Sequence, residues 1–232
     1  MSIAENVATI RERIASAAKR AGRRSDDIVL MGVSKNFPAD AVREAYAAGI
    51  RVFGENRVQE FSGKAATLSD LAGAEWHLIG HLQTNKSSKA AELFHAVDSV
   101  DSLKLAEKLA AAASARSKTL AILLEINIGG ETAKTGMAPE SGELEEILQT
   151  APRLTHLNIC GLMTVPPFTE NPEGARPYFT SLRNLRDTIA QRKLPGVSMN
   201  VLSMGMSHDF EVAIEEGSTC VRVGTGIFGK RA

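Results

Sequence analysis

The segment Leu-Ala-Ile-Leu-Leu-Glu-Ile-Asn-Ile, residues 120–128, is the most informative stretch of this chain for its fold. It is apolar enough for a buried strand, and side chains alternate between the two faces of a strand. One face carries Ile122, Leu124, Ile126 and Ile128. The other face carries Leu123, Glu125 and Asn127. Apolar groups that face outer helices, with polar groups pointing inward near the carboxyl end, are typical of a strand in a barrel.

Strand and helix patterns alternate on both sides of this segment. The predicted strands are residues 28–33, 50–53, 76–79, 96–100, 120–128, 157–165, 197–202 and 220–223. The predicted helices between them are residues 39–48, 57–71, 87–94, 102–115, 139–150, 174–192 and 208–216. This alternation favours an α/β fold, a single (β/α)8 TIM barrel, over an open doubly wound sheet. We predict one domain, residues 1–232, with an extra N-terminal helix at residues 1–22.

Composition excludes several classes of function. The 27 basic and 27 acidic residues balance to zero net charge, whereas nucleic-acid and membrane-surface binding usually need a basic excess. No apolar run approaches the ~18 residues of a membrane span, and the N-terminus lacks the apolar core of a secretory signal. The two cysteines, Cys160 and Cys220, form no CxxC pair, which is typical of a reducing compartment. We therefore expect a cytoplasmic protein with neither nucleic-acid nor membrane partners.

Polar and glycine-rich residues follow most predicted strands at their carboxyl ends, where barrels of this type place their sites. Lys35 follows the first strand and shares parity with Met31 and Val33, so it continues an inward-facing row into the barrel mouth. Partial desolvation favours the neutral amine of a lysine, and a neutral amine attacks an aldehyde to form a Schiff base. The alternative is a lysine that extends to solvent or pairs with a carboxylate.

The segment Gly-Thr-Gly-Ile-Phe-Gly, residues 224–229, matches GxGxxG. A dinucleotide-binding motif needs a following helix and a later acidic residue, and the sequence ends at Ala232. Barrels often bind phosphate in the loops after strands seven and eight, and here those loops, residues 203–207 and 224–226, are rich in glycine and hydroxyl groups. We predict a phosphate site there; glycines that merely turn the chain are the alternative.

Three further features leave alternatives open or point to no site. Arg222 shares the inward parity of Cys220, and either Glu125 or a ligand is a suitable partner for it. His77 and His81 are four residues apart, but they fall on a strand and its loop, so we predict no metal site. Spacing supports no Ser–His–Asp arrangement and no GxSxG elbow.

Taken together, these motifs resemble the pyridoxal phosphate homeostasis family, whose members are single-domain relatives of the alanine racemase barrel and bind pyridoxal 5′-phosphate (PLP). The matching stretches extend over nearly the whole chain in family order. They are VSK (33–35), FGENRVQE (53–60), WHLIGHLQTNK (76–86), GLMT (161–164), LSMGMS (202–207) and VRVGTGIFG (221–229). Asn36 departs from the pattern, since relatives often have threonine after the lysine.

The resemblance implies an alanine racemase N-terminal-domain-like barrel and a PLP site. It implies that Lys35 carries the cofactor as a Schiff base, and that Arg222 approaches the pyridine nitrogen while Asn56 lies close to the ring. It places Ser203, Gly205, Gly224 and Thr225 around the phosphate. Lys86 and Lys134 are candidate secondary acceptors.

The implied function is intracellular PLP homeostasis, in which PLP is held reversibly and delivered to PLP-dependent apo-enzymes. We expect no catalytic residues, because an arginine at the pyridine nitrogen weakens the ring as an electron sink. The racemases take a tyrosine from a second domain, and this sequence ends where that domain would begin; Tyr46 and Tyr178 fall on predicted helices. A monomer is expected for the same reason. The alternatives are a PLP-dependent racemase or lyase, a lysine aldolase acting on a phosphorylated sugar, and a scaffold protein.

Overall fold

In a computed structural model that describes residues 2–229, eight parallel strands close into a barrel in chain order. The strands are β1 (Val29–Val33), β2 (Val52–Glu55), β3 (Glu75–Leu78), β4 (Ala96–Val100), β5 (Leu120–Glu125), β6 (Leu157–Met163), β7 (Val197–Met206) and β8 (Cys220–Val223). Strand β1 pairs with both β2 and β8, so the sheet has no free edge. This confirms the predicted (β/α)8 barrel. Met1 and residues 230–232 of the predicted domain lie outside the described residues.

Helices alternate with these strands and cover the outside of the barrel. They are α1 (Ile3–Arg20), α2 (Ala39–Ala47), α3 (Val58–Lys64), α4 (Ser87–Leu93), α5 (Leu103–Ser114), α6 (Gly142–Thr150), α7 (Arg176–Gln191), α8 (Phe210–Glu215) and α9 (Thr225–Phe228). Within residues 2–229, none of them combines the length and the apolar character that crossing a bilayer requires.

The predicted N-terminal helix is present as α1. Ser2 and Glu5 form a capping box at its start, which satisfies two backbone N–H groups that a helix otherwise leaves unpaired. Its buried stripe includes Val7, Ile10 and Ile14. The Asn6 side chain donates to the carbonyl of Ile227 at 2.9 Å, which ties α1 to α9 near the end of the described chain.

The core that positions the site lies between the barrel and α3. The Phe53 ring on β2 stacks on Trp76 of β3 at 5.0 Å between ring centroids. Phe61 of α3 contacts the same indole at 4.8 Å. Phe53 and Phe61 are at most 1% exposed, so α3 is held firmly against the ends of β2 and β3. This packing fixes the polar residues that α3 directs toward the barrel mouth.

Several observed element bounds near the mouth differ from the predicted ones, and three of these differences affect the site. Strand β5 ends at Glu125, and Asn127 turns away: its side-chain amide donates to the carbonyl of Glu131 at 2.8 Å and organises the following loop. Strand β7 extends to Met206, four residues beyond the predicted end at 202. The predicted helix at 57–71 is the shorter α3 followed by a 3-10 turn, Ala66–Leu68.

Candidate cofactor site at the barrel mouth

A cavity of about 620 Å³ opens at the carboxyl ends of the strands. Its lining comes from the ends of β1, β2, β3, β5, β6, β7 and β8. Of the seven predicted site residues, five line it: Lys35, Asn56, Arg222, Gly224 and Thr225. The arrangement brings the lysine and the last glycine-rich loop to one space, as expected of a barrel mouth.

Lys35 lies in a tight turn directly after β1. The Phe37 N–H donates to the carbonyl of Ser34 at 3.1 Å, which closes a turn with Lys35 and Asn36 at its centre. Asn36 has a φ of 62°, the left-handed conformation that type II turns require at this position. Asparagine tolerates this conformation better than most residues, so Asn36 suits the turn that presents Lys35.

Asn56 lies beside Lys35 because β2 is the neighbour of β1. The backbone of Asn56 lies against Gly80, in the loop after β3. A Cβ on Gly80 would lie 2.4 Å from the Asn56 carbonyl oxygen. Such a contact is sterically forbidden, so the Gly80 position allows the two loops to approach each other closely. The His-Leu-Ile-Gly-His stretch therefore has a structural role at this wall of the cavity.

Arg222 lies on the inward face of β8 and is 3% exposed. One guanidinium nitrogen donates to Ser203 Oγ at 2.7 Å, and another donates to the Thr164 carbonyl at 2.7 Å. These bonds, rather than an ion pair with Glu125, hold the arginine among the described residues. Burial lowers the pKa of Arg222, but a guanidinium remains protonated at neutral pH. Arg222 therefore supplies a fixed positive charge at the cavity floor.

The loops after β7 and β8 bring two hydroxyl groups together. Thr225 Oγ1 donates to Ser207 Oγ at 3.3 Å, and the Gly226 N–H donates to the same oxygen at 3.4 Å. Ser207 and Thr225 both line the cavity, next to Gly224. Hydroxyl and backbone N–H donors on glycine-containing loops suit an anion such as a phosphate group.

Two of the predicted phosphate contacts, Ser203 and Gly205, are not among the residues that line this cavity, and their contact with phosphate stays a prediction. Ser203 is fully buried and contacts Arg222, beneath the cavity. Gly205 has a φ of 92°, and a Cβ there would lie 2.5 Å from the Ala213 Cβ, so this glycine is required for packing against α8. The β7–β8 pairing shifts register between Ser203 and Met206, and the residues that follow the shift, Met206 and Ser207, line the cavity.

Glu125 supplies an acidic side chain at the mouth. It lines the cavity, is 7% exposed, and accepts a hydrogen bond from the Thr135 hydroxyl at 2.8 Å through Oε1. Within the described chain Oε2 has no hydrogen-bond partner. Burial raises the pKa of Glu125, the Thr135 hydrogen bond opposes the rise, and the Asp101 carboxylate adds to it. The parity of residues 120–128 predicted its inward direction, whereas its pairing with Thr135 has no sequence signal.

His77 on β3 and His81 in the loop after β3 lie in different surroundings. His77 pairs with Asp98 inside the barrel at 3.1 Å, while His81 lies at the mouth with Asp101 at 3.4 Å. Burial lowers the pKa of His77, but Asp98 and Glu75 more than offset it and raise that pKa to about 10. Across residues 2–229, no group of histidine, cysteine and carboxylate side chains is arranged to hold a metal ion.

The fold and the site together define a class of protein: closed (β/α)8 barrels with a lysine and glycine-rich loops at the carboxyl mouth. Residues 3–232 match the family described as alanine racemase, N-terminal domain.

Full-length relatives define the family more narrowly. The pyridoxal phosphate homeostasis protein of Aquifex aeolicus is 46% identical over 231 residues, covering 100% of this chain and 99% of the relative. That of Pseudomonas aeruginosa is 44% identical, covering 99% of this chain and 96% of the relative. The chain belongs to the pyridoxal phosphate homeostasis protein family. The structure of PipY from Synechococcus elongatus with PLP bound has a TM-score of 0.85 and 38% identity, over 98% of this chain and 100% of PipY.

Proposed function

We propose that this protein binds PLP reversibly through Lys35 and acts in PLP homeostasis as a carrier rather than as an enzyme. The observation that carries the proposal is that Lys35 and the Gly224–Thr225 loop line one cavity. The pyridoxal phosphate homeostasis proteins of A. aeolicus and P. aeruginosa, and PipY with PLP bound, support the choice of ligand.

The residues at the mouth fit PLP in charge and in donor type. Among the described residues that line the cavity, Lys35, Lys134 and Arg222 are basic, and Glu125 is the single acidic residue. A basic lining favours a doubly charged phosphate ester. Ser207 and Thr225 supply hydroxyl donors for that group, and the Lys35 amine suits an aldehyde. When bound, PLP supplies an aldehyde that condenses reversibly with a primary amine, and this masks the aldehyde without destroying it.

The chain's own residues favour retention of the ligand over turnover of an amino acid. The fixed charge of Arg222 disfavours protonation of a basic nitrogen close to it, which weakens a pyridine ring as an electron sink. Racemisation also needs an acid–base group on each face of the substrate. Neither tyrosine lines the cavity: Tyr46 donates to the Ala72 carbonyl at 2.6 Å on the outside of the barrel, and Tyr178 lies on α7.

The test is borohydride reduction of the PLP-loaded protein, followed by peptide mass mapping. We expect a pyridoxyl group on Lys35 and none at that position in Lys35→Ala. Lys86→Ala and Lys134→Ala are the matched controls, since they remove other lysines and leave Lys35 in place. An unmodified Lys35 in the wild-type protein contradicts the proposal. Racemisation or elimination of alanine or serine at rates typical of enzymes contradicts the carrier assignment alone.

The remaining parts of the proposal concern cellular context. We assign the protein to the cytoplasm, which the free thiols of Cys160 and Cys220 support. It acts as one monomeric domain and releases PLP to PLP-dependent apo-enzymes. Light scattering on a size-exclusion column checks the monomer, for which we expect 24.8 kDa. Reactivation of an apo-enzyme by the loaded protein, at a rate that exceeds spontaneous dissociation of PLP, checks direct delivery.

A further inference from the structure

The turn that carries Lys35 is fixed by side chains that come from elsewhere in the fold. We call residues 34–37 the lysine turn. The Ser34 hydroxyl donates to Glu55 Oε1 at 2.5 Å, and the Asn36 N–H donates to Glu60 Oε1 at 2.5 Å. Glu55 ends β2, and Glu60 lies on α3. The residues on both sides of Lys35 are therefore tied to neighbouring elements.

Lys64 of α3 supplies the third tie. Its ammonium group donates to the Ser34 carbonyl at 3.0 Å and to the Phe37 carbonyl at 3.3 Å, which are the two ends of the lysine turn. It also forms an ion pair with Glu55 at 2.8 Å. An ammonium group has three hydrogens, and these contacts use all of them. Lys64 therefore holds both ends of the lysine turn through their backbone carbonyl groups.

The ties form one charged network on a single face of α3. Glu60 and Lys64 are four residues apart on the helix, and Lys64 lies 3.5 Å from the Glu60 carboxylate. The Lys64 side chain is 12% exposed and that of Glu60 is 26% exposed, so solvent screening is weak. The packing of Phe61 between Trp76 and Phe94 fixes the same helix turn against the barrel. A rigid helix thus determines where the network holds the lysine turn.

Glu60 also faces the space beside Lys35. A second cavity of about 180 Å³ is lined by Lys35, Asn36, Asn56, Arg57 and Glu60. Asn36 adopts its left-handed conformation at this wall, and such a conformation in a non-glycine residue carries an energetic cost that its surroundings must offset. The hydrogen bond from the Asn36 N–H to Glu60 offsets that cost and selects one geometry of the turn.

We propose that Glu60 and Lys64 are positioning residues that fix the lysine turn and so direct the Lys35 amine into the mouth cavity. This inference rests on the proposed function, because it concerns how Lys35 meets the PLP aldehyde. It predicts that loss of the Glu60 tie weakens bond formation at Lys35 and leaves the rest of the cavity intact. A merely structural role predicts equal damage to all binding in the cavity.

The experiment compares two ligands that differ at the reacting carbon. PLP reacts with an amine, whereas pyridoxine 5′-phosphate has an alcohol there and binds only non-covalently. The variants are Glu60→Ala, which removes the acceptor; Glu60→Gln, which keeps an acceptor oxygen; and Glu107→Ala, a matched change at an exposed glutamate of α5. Absorbance titration measures PLP affinity, calorimetry measures pyridoxine 5′-phosphate affinity, and a thermal melt checks folding.

We expect Glu60→Ala to weaken PLP binding about tenfold and to leave pyridoxine 5′-phosphate binding within about twofold of wild type. Glu60→Gln recovers most of the PLP affinity, and Glu107→Ala changes neither ligand. Equal weakening of both ligands, or PLP binding within about twofold of wild type, overturns the inference alone. A wild-type protein that binds pyridoxine 5′-phosphate but takes up no PLP on Lys35 overturns the proposed function and the inference with it.

Discussion

Two buried carboxyl groups, on Glu55 and Glu125, end strands on different sides of the barrel mouth. Burial raises the pKa of both, and in each one oxygen lacks a partner among the described residues. They differ in what opposes burial. Glu55 has the Lys64 ammonium at 2.8 Å, whereas Glu125 has, within residues 2–229, only the neutral Thr135 hydroxyl as its hydrogen-bond donor. Glu55 thus belongs to the scaffold of the lysine turn, while Glu125 lines the cavity and has a buried oxygen without a donor.

Removal of the cation at Glu55 is expected to have the largest effect. Lys64→Met leaves the Glu55 carboxylate buried without its partner, and breaking a buried ion pair in this way costs about 3–5 kcal/mol of unfolding free energy. Urea denaturation at pH 7 measures this. The double variant Glu55→Gln/Lys64→Met is the control, because it removes the stranded charge and restores most of the loss. A loss below about 1 kcal/mol for the single variant would mean that the buried Glu55–Lys64 pair contributes no more to stability than an exposed ion pair does.

The two carboxyl groups also show what sequence reasoning can and cannot reach. The barrel and the inward direction of Lys35 and Glu125 follow from alternation along single strands, which is a local signal. The tie between Glu60 and Asn36 joins residues 24 positions apart, which the pairing of β1 with β2 brings together. The i,i+4 spacing of Glu60 and Lys64 was a signal that they share a helix face, but not of what that face contacts.

The path of β7 into the mouth was predictable only in part, for a different reason. Parity along β7 depends on an unbroken strand, and the register shift between Ser203 and Met206 interrupts it. A pattern of small polar residues carries no information about such a bulge. Ser203 therefore supports Arg222 from below, and Ser207 reaches the cavity instead.

Removal of the Thr135 hydroxyl, which donates to Glu125, is expected to have the next largest effect on stability. Thr135→Val keeps the shape of the side chain and leaves both oxygens of Glu125 without a donor. We expect a loss of about 1–2 kcal/mol at pH 8, the cost of an unsatisfied buried acceptor. The loss shrinks at pH 4, below the ordinary carboxyl pKa of 4.5, because a protonated carboxyl has less need of a donor. Denaturation at both pH values measures it, with Thr132→Val, at an exposed position of the same loop, as the control. Equal losses in both threonine variants would show that the hydroxyl at Glu125 has no special role.

Neutralisation of Glu125 itself is expected to act in the opposite direction. A raised pKa means that the folded protein binds more protons than the unfolded chain, so stability falls as pH rises from the ordinary value of 4.5 through the folded pKa. Glu125→Gln removes this slope and keeps an acceptor for Thr135. We expect a gain of about 1 kcal/mol at pH 8 and little change at pH 4. If Glu125→Gln is less stable than wild type at pH 8, the charge of Glu125 stabilises the folded protein, as we expect for Glu55.

The smallest expected change in unfolding free energy is at an exposed ion pair. Glu145 pairs with Arg192 at 2.7 Å through two bonds, and Arg192 lowers the pKa of Glu145 to about 2. A lowered pKa stabilises the folded state above the ordinary carboxyl pKa and loses that effect as pH falls toward 2. The side chains are 45% and 34% exposed, however, so water and salt screen the pair.

We expect Glu145→Gln to cost less than about 1 kcal/mol at pH 7, and nothing measurable in 1 M NaCl. The loss of unfolding free energy in Lys64→Met persists in 1 M NaCl, because the Glu55 carboxylate is buried and dissolved ions screen it little. If salt removes both losses alike, burial is not what separates Glu55 from a surface carboxylate, and the contrast between the two sides of the mouth has to be explained by geometry alone.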